Sequence, residues 1–190
     1  MEKKNCVHIS QNRYIKNHTS MSFDPKQFKY CPFYCEENIW HLCQEEPFLP
    51  FDRKVLFISN QKQCVPMMEQ KAGSPVYWDY HVVLLYKDIH WKIADLDTLL
   101  SFPCRSKEYL SKSFMQNNPP SFRVVDVADF IHYFASDRRH MIDHKGVYLQ
   151  PPPPWDKIGK TGFTLGEFID FEQTDHGQLY DLCAMYTKFT

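Results

Sequence analysis

The chain has 190 residues, 43% of them hydrophobic and 24% charged, with a formal net charge of −1. This length suits one globular domain with a sizeable core, and the composition excludes a largely disordered chain. The near-neutral balance gives no electrostatic reason to expect nucleic acid or an anionic membrane as a partner.

Localisation is predicted from missing signals. No apolar run approaches the roughly 20 residues that span a bilayer, and residues 1–20 lack the apolar segment of a secretory signal. The seven cysteines are an odd number without a tight repeat, which is typical of reduced thiols rather than a disulfide framework. We therefore expect a cytoplasmic protein. A chain of this size is small enough that a nuclear pool is expected as well.

The first 28 residues are polar and without clear periodicity, which predicts a variable leader before a single catalytic domain over 29–190. A helix is predicted to begin at Cys35, with Glu36 and Glu37 in its first turn, where carboxylates suit the helix dipole. It must end near residues 44–46, because two prolines follow.

The following segments alternate between strand and helix patterns. Period-two or continuous apolar patterns predict strands over 55–59, 76–78, 81–86, 91–96 and 122–125. Helical spacing predicts helices over 126–134 and 164–170, the second with Thr164 as its cap and Glu167 three residues on. A helix that carries a thiol, followed by an antiparallel sheet and further helices, is an α+β arrangement.

Cys35, His81 and Asp95 have the residue types and the order of a nucleophilic thiol site. The thiolate is the nucleophile, and we expect both the helix N-terminus and a neighbouring imidazolium to favour it. His81 can protonate a departing amine and then activate water, while Asp95 fixes its tautomer. Backbone N–H groups at the helix start can bind an oxyanion, with Tyr30 as a candidate second donor.

His81 and Asp95 can meet if residues 81–86 and 90–97 form a hairpin. A three-residue loop centred on Asp88 would place them opposite one another, whereas a two-residue turn would put them on opposite faces. Asp97 has the same parity as Asp95, so parity does not separate the two. The expected register favours Asp95.

Two alternatives use the same residues differently. Cys31 and Cys35, together with His140 and His144, could ligate zinc, although such spacings also arise by chance. A non-enzymatic adaptor could dock other proteins through its aromatic surface and the proline run 151–154.

Several longer blocks make the chain recognisable: Tyr34-Cys35-Glu36-Glu37-Asn38-Ile39-Trp40, Trp78-Asp79-Tyr80-His81-Val82-Val83-Leu84-Leu85, Asp95-Leu96-Asp97-Thr98 and Phe134-Ala135-Ser136-Asp137-Arg138. With these blocks, the chain resembles the protein N-terminal glutamine amidohydrolases, the deamidases of the N-degron pathway. The resemblance covers roughly Tyr30 to the C-terminus.

This resemblance implies a catalytic triad of Cys35, His81 and Asp95, and so decides between Asp95 and Asp97. It also implies a papain-like or transglutaminase-like α+β fold and a monomer without cofactor or metal. The implied reaction converts an N-terminal glutamine of a protein or peptide to glutamate and releases ammonia. A cysteine peptidase or a transglutaminase would use the same machinery. Selectivity requires an acceptor for the substrate's α-ammonium, for which Asp79, Asp97 and Asp137 are candidates.

Overall fold

A six-stranded antiparallel sheet runs through the centre of the protein, in the strand order β6-β5-β4-β1-β7-β8. The computed structural model describes residues 23–159, 162–172 and 175–190. The strands are β1 (Asp52–Ser59), β2 (Val65–Met67), β3 (Val76–Trp78), β4 (His81–Lys87), β5 (Trp91–Ala94), β6 (Cys104–Arg105), β7 (Ser121–Asp126) and β8 (Gln178–Asp181). β2 and β3 form a separate two-stranded sheet.

In the described part of the chain, five α-helices cover the two faces of the central sheet: α1 (Cys35–Leu42), α2 (Ser106–Ser113), α3 (Val127–Tyr133), α4 (Leu165–Ile169) and α5 (Leu182–Phe189). Short 3-10 turns occupy Pro25–Gln27, Glu46–Phe48 and Arg139–Met141. Within the described ranges, none of the helices is both long enough and apolar enough to cross a lipid bilayer.

The sheet separates two hydrophobic cores. Side chains alternate along β1, so that Val55 and Phe57 join the core under α1, α3 and α4, while Leu56 and Ile58 join the core under α2 and α5. Both faces are covered, which is why this strand reads as one continuous apolar run. The mixed architecture with an antiparallel sheet agrees with the predicted α+β class.

The predicted helix start at Cys35 and the five predicted strand segments are confirmed, although strand ends shift by up to three residues. Three strands and two helices were not predicted: β2, β6, β8, α2 and α5. Thr164 is the N-cap residue of α4, as predicted, but its side chain makes no capping bond. Its hydroxyl instead accepts from the Ala135 N–H at 2.9 Å and donates to the Tyr133 carbonyl at 3.0 Å.

The predicted leader extends too far into the domain. Phe28 is buried, and its ring contacts Phe48 and Phe102 at centroid distances of 5.7 Å in both cases. Phe23 packs on the same cluster. Phe23 and Phe28, at the described end of the predicted leader, thus pack in the core of the domain; residues 1–22 lie outside the described residues.

Candidate active site

His81 and Asp95 meet at one end of the central sheet. His81 is the first residue of β4, Asp95 follows the last residue of β5, and the His81 Nε2 lies 3.0 Å from the Asp95 Oδ1. The hairpin has the predicted three-residue loop, but Lys87 pairs with Trp91, so its centre is Ile89 rather than Asp88. The predicted register is therefore wrong by two residues. Because a shift of two keeps the faces unchanged, the two side chains still meet, diagonally.

Asp95 is held by four hydrogen bonds. Its Oδ1 accepts from His81 and from the backbone N–H of Asp97 at 2.8 Å. Its Oδ2 accepts from Gln70 Nε2 at 3.1 Å and from the Tyr109 hydroxyl at 2.8 Å. A carboxylate offers about four lone-pair sites, so this one is fully satisfied and fixed in orientation.

Cys35 is the first residue of α1 and lies next to the start of β4. Val82, the residue after His81, is among the groups that act on the pKa of the Cys35 thiol. The preceding loop is fixed by Asn38, whose side-chain amide accepts from the Cys31 N–H and donates to the Cys31 carbonyl, both at 2.8 Å. This paired contact sets the direction from which the chain enters α1.

The surroundings of Cys35 favour the thiol over the thiolate. Burial raises the pKa of Cys35 well above its usual range, and the negative charges of Glu36, Asp97 and Asp79 raise it further. The Val82 N–H acts in the opposite direction but is outweighed. The expected lowering of this pKa is therefore wrong, because burial and the neighbouring negative charges shift it in the opposite direction.

The imidazole and its partner carboxylate shift in opposite directions. Burial alone would lower the pKa of His81, but the charge and hydrogen bond of Asp95 outweigh it, and the pKa is raised. Burial likewise acts to raise the pKa of Asp95, yet His81, Gln70 and the Asp97 N–H together lower it. Asp95 is thus ionised, and it stabilises the protonated imidazole.

A cleft of about 350 Å³ opens between these elements. Cys35 and His81 both line it, together with Phe33, Trp78, Asp79, Tyr80, Asp97, His140, Met141, Leu149, Phe163, Leu165, Gly166 and Ile169. The Trp78 ring stacks on the His81 ring at a centroid distance of 5.9 Å. Phe33 has a φ of 68°, a left-handed conformation that is costly for an aromatic residue and is often found at functional sites.

The three predicted substrate-binding carboxylates differ in position. Asp97 is buried and lines the cleft, with its Oδ1 accepting from the Tyr30 hydroxyl at 2.5 Å. Asp79 lines the cleft from a more exposed position. Asp137 pairs with Arg139 and is not among the described residues that line the cleft. Tyr30 directs its proton to Asp97, so its predicted role as an oxyanion donor is wrong for this arrangement.

Among the described residues, a group of potential metal ligands is formed by His81, Asp95 and Asp97, whose ligand atoms lie within 4.8 Å of one another. Asp95 has no lone pair left for an ion, because four donors occupy it. The cysteine and histidine pairs of the zinc alternative do not form such a group in the described part of the chain.

Residues that the sequence did not identify complete the surroundings of Cys35. Glu37 is fully buried and forms a two-pronged ion pair with Arg138, with both N···O distances at 2.8 Å, and accepts from the Trp155 indole at 2.8 Å. Glu36 is also fully buried and accepts from the Tyr80 hydroxyl at 3.1 Å. Two acidic residues in a first helical turn are typical of solvated residues that suit the helix dipole, so their burial could not be predicted from the local pattern.

The geometry defines an α+β protein with a thiol and a buried imidazole–carboxylate pair on one cleft. The family model described as N-terminal glutamine amidase matches residues 30–189. This chain therefore belongs to the N-terminal glutamine amidase family, as the sequence blocks predicted.

Three relatives, all named Protein N-terminal glutamine amidohydrolase, show the extent of the similarity. The Homo sapiens protein is 35% identical over 178 residues, which cover 84% of this chain and 87% of the relative. The protein of Oryza sativa subsp. indica is 36% identical over 183 residues, covering 80% and 76%. The Drosophila melanogaster protein is 34% identical over 179 residues, covering 84% and 87%.

Proposed function

We propose that this protein is an amidohydrolase that converts the side chain of an N-terminal glutamine to glutamate and releases ammonia. The observation that carries this proposal is the His81–Asp95 hydrogen bond on a cleft that Cys35 also lines, in a chain that belongs to this family. The α1 start packed on an antiparallel sheet supports assignment to the papain-like or transglutaminase-like folds.

The proposed reaction begins with a neutral thiol. His81 Nε2 is bonded to Asp95, which leaves Nδ1 as the nitrogen that exchanges protons with Cys35 and the substrate. Nδ1 removes the thiol proton as the sulfur attacks the carboxamide carbon, and the negative charge forms on the carboxamide oxygen. Orphaned N–H groups at the start of α1 are suited to bind that oxygen.

The tetrahedral intermediate then collapses to a thioester. His81 returns its proton to the departing nitrogen, which leaves as ammonia. Water next loses a proton to His81 and attacks the thioester carbon, and the sulfur leaves and regains that proton. The product is glutamate and the enzyme is restored, with Asp95 stabilising the imidazolium at both stages.

Recognition of an N-terminal residue requires a partner for its α-ammonium. We assign this role first to Asp97, which is buried at the cleft and accepts one bond from Tyr30, and second to Asp79. An ammonium buried without a partner would cost several kcal/mol, so a carboxylate at this position selects for a free N-terminus. A role for Asp137 stays a prediction.

The test is ammonia release and amide-to-acid mass change on a peptide that begins with glutamine. Wild type is expected to turn over this peptide but neither an N-acetylated copy nor a peptide with internal glutamine. Cys35→Ala and Cys35→Ser should lose the activity while keeping the thermal stability of the fold. Chain cleavage would identify a peptidase, and incorporation of an added amine a transglutaminase. Full activity in Cys35→Ala would refute the proposal.

The remaining predictions concern the protein as a whole. We propose a monomer without cofactor that acts on proteins and peptides, in the cytoplasm and in a nuclear pool, with one catalytic domain behind a variable leader.

A further inference from the structure

Glu36 is a buried acid that the proposed reaction does not use. Its side chain is fully buried, and its contacts are the Tyr80 hydroxyl at 3.1 Å, the Cys35 thiol at 3.7 Å and the His140 Nε2 at 3.4 Å. A buried carboxylate is costly unless it is paired and hydrogen-bonded. Its neighbour Glu37 meets that condition through Arg138, whereas Glu36 has no arginine or lysine among these contacts.

The two oxygens of Glu36 differ in their bonding. Oε2 accepts from Tyr80 and from the thiol of Cys35. Oε1 is buried and lies 3.4 Å from the His140 Nε2, but it accepts no hydrogen bond among the described residues. Most buried polar atoms in folded proteins accept or donate at least one hydrogen bond, so this oxygen is an exception. Glu36 is not itself among the described residues that line the cleft, but its contacts Cys35, Tyr80 and His140 all line it. The carboxylate that touches the proposed nucleophile through Oε2 thus has a second oxygen without a hydrogen bond.

A bound substrate supplies a donor at this place. In the proposed reaction the carboxamide carbon becomes bonded to the Cys35 sulfur. The carboxamide nitrogen is then two bonds away from that sulfur, which lies 3.7 Å from the Glu36 Oε2. A carboxamide carries two N–H donors, whereas the glutamate product carries only acceptors and a negative charge. The same carboxylate that attracts the amide therefore repels the acid.

We propose that Glu36 is a specificity-determining residue that distinguishes a glutamine side chain from a glutamate side chain and promotes release of the product. This inference rests on the proposed amidohydrolase function. Glu36 accepts a hydrogen bond from the substrate carboxamide, and its charge disfavours the carboxylate formed after hydrolysis. Tyr80 and His140 hold the carboxylate in place, and burial, followed by the charge of Glu36, keeps the pKa of the Tyr80 hydroxyl well above its usual range, so it remains a donor.

The test compares product inhibition in wild type and Glu36→Gln. The substrate is a peptide that begins with glutamine, and the inhibitor is the same peptide beginning with glutamate. Glu36→Gln keeps the side-chain shape and removes the charge. We expect the inhibition constant of the glutamate peptide, divided by the KM of the glutamine peptide, to fall at least about tenfold, because like charges near 4 Å repel strongly in a protein interior. Glu108→Gln, which removes an exposed charge paired with Lys112, should leave this ratio unchanged.

A binding measurement keeps the proposal testable if Glu36→Gln is slow or poorly folded. In inactive Cys35→Ala, the glutamate peptide should bind at least about tenfold more weakly than the glutamine peptide, for the same reason. Equal binding of the two peptides would overturn the role of Glu36. An unchanged inhibition ratio in a folded, active Glu36→Gln would overturn it as well. Absence of ammonia release by wild type would instead refute the amidohydrolase proposal itself, so the two failures are distinguishable.

Discussion

Replacement of Asp95 by asparagine isolates the charge of the proposed triad. The backbone N–H of Asp97 can only donate, so the asparagine carbonyl must remain where Oδ1 now accepts from Asp97 and His81. The amide NH₂ then faces Gln70 and Tyr109. Tyr109 can accept through its hydroxyl, and Gln70 can flip, because its Oε1 now has no hydrogen-bond partner. Geometry is therefore kept and only the charge is lost.

The magnitude follows from that loss. We expect Asp95→Asn to destabilise the fold by about 1–3 kcal/mol, the usual cost of weakening charge-assisted hydrogen bonds in a buried site. The tautomer of His81 is preserved, so kcat should fall by about 10²-fold, the lower end of what general acid–base catalysis contributes. This decrease corresponds to about 2.7 kcal/mol of lost stabilisation of the imidazolium.

The pH profile gives the sharper readout. The reaction requires neutral His81 to take the thiol proton, so activity rises as pH increases through the pKa of His81, which Asp95 holds above its ordinary 6.5. Without that charge, the lowering effect of burial meets less opposition, so the same pKa falls and the acidic limb of kcat should move to lower pH. Ammonia release from a glutamine peptide, followed between pH 5 and 9, measures both effects.

Asp126→Asn is the matched control. It removes an exposed carboxylate that is paired with Lys54 and is the last residue of β7. It should leave kcat and the pH profile as in wild type, because exposed ion pairs contribute little. An Asp95→Asn protein with wild-type kcat and an unmoved acidic limb would refute the reasoning.

Three further substitutions test neighbouring parts of the site. Arg138→Ala leaves Glu37 buried without its counter-charge and should lower the free energy of unfolding, measured in urea, by about 3–5 kcal/mol. Arg139→Ala breaks an exposed ion pair and should change the same free energy by less than about 1 kcal/mol. Similar losses in the two variants would contradict the role of burial. Tyr109→Phe removes one hydrogen-bond donor from Asp95 and makes that carboxylate more basic, which should raise the pKa of His81. The acidic limb of the pH profile of kcat should therefore move to higher pH, and a move to lower pH would contradict the proposed network. Asp97→Asn should raise KM for the glutamine peptide more than it lowers kcat; a pure kcat effect would exclude it as the ammonium acceptor.

The sequence predicted the site more fully than the fold around it. Cys35 begins a helix because apolar spacing starts there, and the parity of His81 and Asp95 survived an error of two residues in the hairpin register. Parity is insensitive to such a shift, whereas the identity of the opposing residue is not.

The supporting residues were missed for physical reasons. α2 is largely polar in sequence, and two serines are among the residues that it buries, so no apolar stripe predicted this helix. The hydrogen bond from its Tyr109 hydroxyl to Asp95 was therefore missed as well. Gln70 lies in an irregular segment without a local pattern. The burial of Glu36 and Glu37 depends on partners that lie 44 and 101 residues away in the chain, and spacing within α1 carries no trace of them.

The segment 139–149 is attached at both of its ends to α1 and to Tyr34, the residue that precedes this helix. Before the segment, Arg138 forms its ion pair with Glu37. After it, the Tyr34 hydroxyl donates a hydrogen bond to the Gln150 carbonyl at 3.1 Å. Met141 and Leu149, which line the cleft, are carried between these two ends. A loop exchange between these two ends that keeps His140 should therefore change which peptides enter the cleft without moving Cys35.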